Sequence, residues 1–175
     1  MKRSVWILVV VCAVLGAYAL GQEQGEKKGG EMDMAAWMEI GQTGPEHAEM
    51  AKLAGDWTSE VKSWMQPGAD PTMSKGKSTY KVVMDGRYVR QDYQGDMMGT
   101  PFTGVGYVAY NRATGKYESL WMDSMSTGIM FSTGTETEKG KVWEYKGSFF
   151  GPGALKVKCR NIIRRISDDR QIMEM

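Results

Sequence analysis

The fold is decided at residues 52–64, which read KLAGDWTSEVKSW. The segment starts at the end of a helical pattern, passes through Gly55, and continues as a loose alternation that contains Trp57. A hydrophobic period that changes from about 3.6 to about 2 predicts that a helix gives way to a β-strand at this glycine. We expect Gly55 to let the helix pack closely on that strand. We expect Trp57 to fill the space at the start of the strand, with a hydrogen-bond partner for its indole nitrogen.

Two short helices are predicted before this glycine. The first follows Asp33, a suitable N-cap residue, and places Trp37 on an apolar face. The second begins at Pro45, which favours the first turn of a helix, and its apolar face extends to Leu53. His47 lies early on the second helix, and we interpret it as a surface histidine. It is the only histidine in the chain, so the sequence supports neither an imidazole metal site nor a histidine-activated nucleophile.

The rest of the chain reads as short strands separated by turns. Eight strands are predicted, at residues 58–65, 78–84, 87–94, 100–111, 116–123, 128–138, 141–149 and 155–166. Asp85 and Gly86 form a dipeptide that is typical of a tight hairpin. Regular strands joined by hairpins predict an antiparallel meander, and a meander loses its exposed edges when it closes on itself. The predicted fold class is therefore mainly β, a single antiparallel up-and-down β-barrel preceded by a helical segment.

The first residues have a different composition. Residues 1–19 combine a basic start, an apolar run and small residues, which is the pattern of a secretory signal peptide cleaved after Ala19 or after Gly21. A retained membrane anchor is the alternative, although the apolar run is short for a span of about 20 residues. Residues 20–31 are rich in glycine and charge and are predicted to be a flexible linker. The protein is therefore expected to be exported, to the periplasm or the extracellular space.

The remaining residues, 32–175, are enough for one globular domain, to which we assign the barrel. Removal of Lys2 and Arg3 with the signal segment leaves 20 basic residues against 21 acidic ones, a net charge of −1. This balance argues against nucleic acid or an anionic membrane as a partner, and no membrane insertion is expected after cleavage. The chain stops at Met175 within an apparent strand, so we expect either closure of the barrel there or a missing final strand.

Alternation brings polar and aromatic side chains to the inner face of the predicted barrel. Arg87 and Gln91 share one face of their strand, and Trp121 shares a face with Asp123 on another. An inward Arg87 requires an acid such as Asp123 beside it, or an anionic head group. The predicted ligand-binding residues are Arg87, Gln91, Tyr110, Trp121 and Asp123. The main alternative is a barrel filled by its own side chains, and a weaker one is an enzyme that uses Asp123 with Arg87.

Sulfur-containing residues are frequent, with 15 methionines in the chain. Cys159 is the one cysteine outside the signal segment, so it has no disulfide partner, and we interpret it as a small buried side chain. The methionines fall into clusters that can pack irregular space or adapt to varied ligands. Copper(I) binding by thioethers is the alternative. Because no histidine or cysteine joins the clusters, we predict no metal and no cofactor.

Three stretches resemble a known family: GPEHAEMAKLAGDWTSEV, MDGRYVRQDYQGDMMGTPFTGVGYVAYNRATGKYESLWMDSMSTGI and GTETEKGKVWEYKG. Over residues 44–175 the chain resembles the bacterial family catalogued as domain of unknown function 1579. The glycine-x-tryptophan step at Gly55 is similar to that of the calycin group, which includes the lipocalins. The resemblance implies a lipocalin-like barrel and no established activity, cofactor or catalytic residue. The predicted function is that of an exported protein that binds a small lipophilic or amphipathic molecule inside the barrel.

Overall fold

The computed structural model describes residues 33–64, 66, 68–97 and 99–175. The strands and the second helix belong to one compact unit, Ala35–Met175. The predicted signal peptide and linker, residues 1–31, lie outside the described residues. Within the described part, the helices are too short and too polar to cross a membrane.

Two short helices precede nine β-strands. The helices are α1 (Met34–Ile40) and α2 (Pro45–Ala51), and a 3-10 turn occupies Pro152–Ala154. The strands are β1 (Gly55–Ser63), β2 (Thr72–Val83), β3 (Tyr88–Met97), β4 (Thr100–Asn111), β5 (Lys116–Asp123), β6 (Met130–Glu138), β7 (Val142–Phe150), β8 (Lys156–Ser167) and β9 (Arg170–Glu174). The prediction of eight strands was wrong by one. The additional strand is β9, which follows a tight turn between the paired residues Ser167 and Arg170, just beyond the last predicted strand, 155–166.

All nine strands form one antiparallel sheet in chain order, from β1 to β9. The predicted mainly β, up-and-down architecture is therefore confirmed. Among the described strands, hydrogen-bonded pairing does not join β9 back to β1, so the sheet is a half-barrel with two free edges.

The helix α2 shows that this sheet is curled. Met50 of α2 belongs to a buried cluster that extends from Val89 on β3 to Trp143 on β7, and Glu49 pairs with Arg165 on β8. In a flat sheet β3 and β8 would lie about 24 Å apart, whereas a helix of this length extends only about 10 Å. The sheet therefore wraps around α2, and we call the face that it turns towards the helix the inner face.

The register divides the inner face into two parts. Side chains that pack with α2 form the helix-covered half, which comprises Val89, Val108, Tyr110, Tyr117, Trp143, Tyr145 and Ile163. Side chains beyond the helix form the open half, which includes Ser78, Gln91, Tyr93, Phe102, Trp121, Asp123 and Met130. The loop after α1 is held at the helix-covered end, because Arg87 donates to the carbonyl of Gly41 and Arg112 to that of Glu39.

Gly55 and Trp57 join α2 to β1. Gly55 has a φ of +131°, and a Cβ at this position would meet nothing within 4 Å. Glycine is required here by the backbone conformation and not by the close helix packing that we expected. Trp57 Nε1 donates to the carbonyl of Leu53 at 2.9 Å, and its ring packs edge-on against Tyr80. The half-buried indole thus ties the end of the helical segment to β1.

His47 is buried, and the prediction of a surface histidine was wrong. The residue is 6% exposed, because the first turn of α2 faces the sheet as closely as its last turn. The Gly44 amide donates to His47 Nδ1 at 3.0 Å, and the imidazole packs edge-on against Tyr110. Burial lowers the pKa of His47 below its ordinary value, and the positive charge of Arg112 acts in the same direction.

Candidate functional site

The open half is lined by three aromatic side chains, Tyr93, Phe102 and Trp121, which we call the aromatic trio. Their ring centroids lie 5.8 Å apart for Tyr93 and Phe102, 6.3 Å for Tyr93 and Trp121, and 6.5 Å for Phe102 and Trp121. These separations are within the range of favourable aromatic pairs. The adjacent strands β3, β4 and β5 contribute one ring each, so the trio forms a continuous apolar cluster. Within it Phe102 is 8% exposed, whereas Tyr93 and Trp121 are partly exposed.

Glycines make room for two of these rings. A Cβ at Gly104 would overlap Trp121 Cζ2, and a Cβ at Gly76 would overlap the Tyr93 hydroxyl. A Cβ at Gly95 would lie 2.6 Å from the same hydroxyl oxygen. The indole therefore lies across the backbone of β4, and the phenol lies across β2 and β3. Each of these glycines is a position where any larger residue would push an aromatic ring away from the sheet.

Asp123 holds Trp121 in this orientation. Trp121 Nε1 donates to Asp123 Oδ2 at 2.9 Å, and the Met125 amide donates to Asp123 Oδ1 at 2.9 Å. Asp123 lies opposite Gly104, which in turn lies opposite Tyr93. Since a carboxylate can accept about four hydrogen bonds, Asp123 keeps acceptor capacity beyond these two. A negatively charged group therefore stands at the rim of the aromatic trio.

Gln91 lies beside the trio on β3. Its Nε2 donates to Ser78 Oγ at 2.9 Å, which links the polar side chains of β2 and β3. A Cβ at Gly106 would lie 3.4 Å from Gln91 Oε1 and 3.1 Å from the nearest Trp121 ring carbon. Gln91, Trp121 and Asp123 are therefore the three predicted site residues that the structure brings together.

Arg87 lies apart from them. It belongs to the turn between β2 and β3, where its Nε donates to the Gly41 carbonyl at 3.1 Å. Its nearest carboxylate is that of Asp85, at 3.7 Å in an exposed ion pair. Arg87 is held in this turn while Asp123 lies on β5, so the expected pair of Arg87 and Asp123 does not form.

Tyr110 also lies outside the open half. Its ring packs edge-on against Tyr117 at 5.0 Å and against His47 at 5.9 Å, within the helix-covered half. Tyr110 therefore belongs to the packed core under α2, separated from the aromatic trio along the sheet.

The inner face also carries a sulfur pair and three buried polar oxygens. Met130 Sδ accepts a hydrogen bond from the Cys159 thiol at 3.6 Å, so these two side chains meet across β7. The described residues supply no hydrogen-bond partner for three buried side-chain oxygens, those of Ser59, Ser132 and Asn161. All three belong to the inner face by register. Since buried polar groups are nearly always hydrogen-bonded, this face retains unused hydrogen-bonding capacity.

A shallow groove of about 390 Å³ lies along β3, β4 and β5. Six of its lining residues point to the other face by register, namely Asp92, Gln94, Thr103, Val105, Met122 and Ser124, and the lining also includes Tyr93, Gly104 and Asp123 of the inner face. Within the groove, Asp92 is already paired with Arg90 at 2.6 Å. We place the candidate site on the inner face, because the three rings of the aromatic trio meet there.

Side chains that could bind a metal ion are not clustered among the described residues. Among the described residues, no three histidine, cysteine, aspartate or glutamate side chains lie close enough to hold a metal ion. The cluster that the sequence forms with Met122, Met125 and Met130 is also divided by the sheet, since Met122 lies on the outer face and Met130 on the inner one.

The chain matches a known protein family. A family model described as "Protein of unknown function (DUF1579)" matches residues 42–175. The matched region contains α2, all nine strands and therefore the whole candidate site. The search of curated proteins gives no match.

Proposed function

The chain belongs to this family of proteins of unknown function, and we propose from its inner face that it binds a small lipophilic or amphipathic molecule in the open half. The aromatic trio is the observation that carries the proposal. Small-molecule sites are typically concave and apolar, with a few polar groups that orient the ligand. The curled sheet supplies the concave shape, the trio supplies the apolar surface, and Asp123 and Gln91 supply polar groups beside it.

The helix-covered half has a different role. Its side chains Val89, Tyr117 and Trp143 pack with Met50 of α2 in one buried cluster, so this region is filled by the protein itself. In the open half Phe102 is also buried, but Tyr93, Trp121 and Asp123 are partly exposed. The alternative of a filled core therefore describes this half, and the ligand proposal concerns the open half alone. The enzyme alternative loses its polar pair, because Arg87 and Asp123 lie apart.

Export is part of the same proposal. Residues 1–19 have the pattern of a signal peptide, which supports a location of the domain outside the cytoplasm. The test is N-terminal sequencing of the protein recovered from the periplasm or medium of a bacterial host. A first residue of Leu20 or Gln22 supports export with cleavage, whereas an intact Met1 contradicts it.

Binding can be tested with N-phenyl-1-naphthylamine, an uncharged lipophilic dye whose fluorescence rises in apolar surroundings. The exported wild-type protein should bind the dye, and Trp121→Ala should lower its affinity about tenfold through lost aromatic contact. Trp64→Ala is the matched control, because Trp64 follows β1 and is 57% exposed. The proposal fails if the wild type gives no fluorescence increase, or if the two variants lose equal affinity while both remain folded by circular dichroism.

A further inference from the structure

The inner face carries an excess of negative charge. Among the described strands, this face carries three charged side chains, Asp123, Glu136 and Arg165. Arg165 is neutralised by Glu49 and lies 5.0 Å above the Trp143 ring, in the helix-covered half. Asp123 and Glu136 accept hydrogen bonds from backbone amides, and neither forms an ion pair with any described residue. The inner face therefore presents two carboxylates and no unpaired cation.

The aromatic trio adds to the negative potential of the open half. Ring atoms of Trp121 and Tyr93 lie directly over glycine positions of the sheet, and both side chains remain partly exposed on the open half. The plane of Tyr93 is inclined by 66° to that of Trp121 and by 68° to that of Phe102, so the rings form a corner. Aromatic faces carry the negative side of a quadrupole and attract cations within about 6 Å of the ring centroid.

The carboxylate of Asp123 is fixed at this corner. Its hydrogen bond to Trp121 Nε1 places it against the nitrogen-bearing edge of the partly exposed indole. A corner of aromatic faces with a carboxylate at its rim combines the two groups that recognise substituted ammonium ions, the π face and the opposite charge.

We propose that the open half prefers a lipophilic molecule with a positively charged organic head, a quaternary or protonated ammonium, placed over the aromatic trio beside Asp123. This inference rests on the proposed function, since it names the chemistry of the ligand of the same site. The methyl or methylene groups of such a head also pack against the rings. A carboxylate head would be buried without a cationic partner and close to Asp123, which is unfavourable on both counts.

The test compares three ligands that share one alkyl chain and differ in the head group: decyltrimethylammonium, 1-decanol and decanoate. Each displaces N-phenyl-1-naphthylamine from the exported protein at pH 7.5, below the concentration at which it forms micelles. We expect decyltrimethylammonium to bind at least about tenfold more tightly than decanoate, with 1-decanol between them.

Asp123→Asn provides the second part of the test. Asparagine keeps an oxygen that can accept the Trp121 indole hydrogen bond, but it removes the charge. The affinity for decyltrimethylammonium should fall about tenfold, whereas that for 1-decanol should change less than about twofold. Asp70→Asn removes the same charge from the exposed loop between β1 and β2 and should leave both affinities unchanged.

The outcomes separate this inference from the proposed function. Equal affinity for the three heads, or tightest binding of decanoate, overturns the head-group inference and leaves ligand binding intact. An unchanged affinity of Asp123→Asn for decyltrimethylammonium also overturns it. If Asp123→Asn does not fold, Tyr93→Leu replaces it, and an equal loss of affinity for the ammonium and for 1-decanol overturns the inference. Failure of the wild type to bind the dye and all three ligands overturns both proposals.

Discussion

Trp121 and Asp123 lie on the same face of β5, and the indole Nε1 of the first donates to the carboxylate of the second at 2.9 Å. Side chains two residues apart on a strand are about 6.6 Å apart at their Cα atoms, so the indole must turn along the strand to reach the carboxylate. That turn lays the ring over Gly104, which is the residue opposite Asp123. The apolar surface and the charge of the candidate site are therefore positioned by one hydrogen bond.

Replacement of Gly104 by alanine should disturb this arrangement. The new Cβ would overlap the Trp121 ring, so we expect a loss of about 1–3 kcal/mol in the free energy of unfolding and weaker dye binding. Urea denaturation measures the first effect. Gly151→Ala is the control, because its Cβ would meet its nearest atoms at 3.8 and 3.9 Å, and it should change stability by less than about 0.5 kcal/mol. Wild-type stability and dye affinity in Gly104→Ala would contradict the placement of the ring.

Trp57→Phe should weaken the junction between the helical segment and β1. Phenylalanine retains the aromatic contact with Tyr80 but cannot donate to the Leu53 carbonyl, so a loss of about 1 kcal/mol is expected. Urea denaturation of this variant is compared with that of Trp64→Phe, in which the replaced indole is exposed. A loss of equal size in the two variants would show that the hydrogen bond to Leu53 contributes nothing.

Arg165→Met should loosen α2 from the sheet. Arg165 and Glu49 form an ion pair whose side chains are 15% and 21% exposed, and the guanidinium also lies over Trp143. We expect a loss of about 1–3 kcal/mol in the free energy of unfolding, since Glu49 is left partly buried without this partner. Lys141→Met removes one member of an exposed ion pair with Glu138 and should cost less than about 0.5 kcal/mol. Equal losses would mean that Arg165 acts as an ordinary surface charge.

The stability of the protein should decrease as the pH falls below 6.5. Because burial lowers the pKa of His47 in the folded protein, the unfolded chain takes up the proton first, and acidification favours unfolding. Protonation also removes the acceptor that Nδ1 offers to the Gly44 amide. The decrease can reach at most about 1.4 kcal/mol per pH unit for one group. Urea denaturation between pH 8 and pH 5.5 measures it.

His47→Gln is the control for this prediction, because His47 is the only histidine in the chain. The variant should show a nearly flat dependence over the same range. Burial acts to raise the pKa of Glu49, but hydrogen bonds with Lys52 and Arg165 outweigh it and hold that pKa below 4.5. The contribution of Glu49 is therefore lost only at lower pH, outside the range measured. A wild-type stability that stays constant or rises on acidification would contradict the buried histidine.

The alternation of side chains along a strand predicted correctly which residues share a face of the sheet. It gave a wrong result for Arg87, which lies just outside its strand. Trp121 and Asp123 share the inner face as the period of two requires. Arg87 is in phase with Gln91, but β3 starts only at Tyr88, so nothing directs the Arg87 side chain inward. The dipeptide of Asp85 and Gly86 correctly predicts a turn, but it does not show at which residue the hydrogen-bonded pairing of β2 with β3 ends. The Arg87 amide bonds to the Met84 carbonyl and closes a four-residue turn.

Other features depend on contacts between strands that are distant in sequence. Phe102 is in phase with Gly104, but its role appears only when β3 and β5 place Tyr93 and Trp121 beside it. Ser132 looks like an ordinary strand serine, and its 1% exposure results from neighbouring strands. The register of the sheet, which sets these contacts, cannot be read from the pattern of a single strand.

The packing of each large ring over a glycine also restricts which substitutions this protein can accept during evolution. An added side chain at Gly104 is tolerated only if the indole at position 121 has already been lost or moved, and the same holds for Gly76 and Tyr93. Substitutions at these partners should therefore appear together among descendants of a common ancestor. Single exchanges at either partner should be rare.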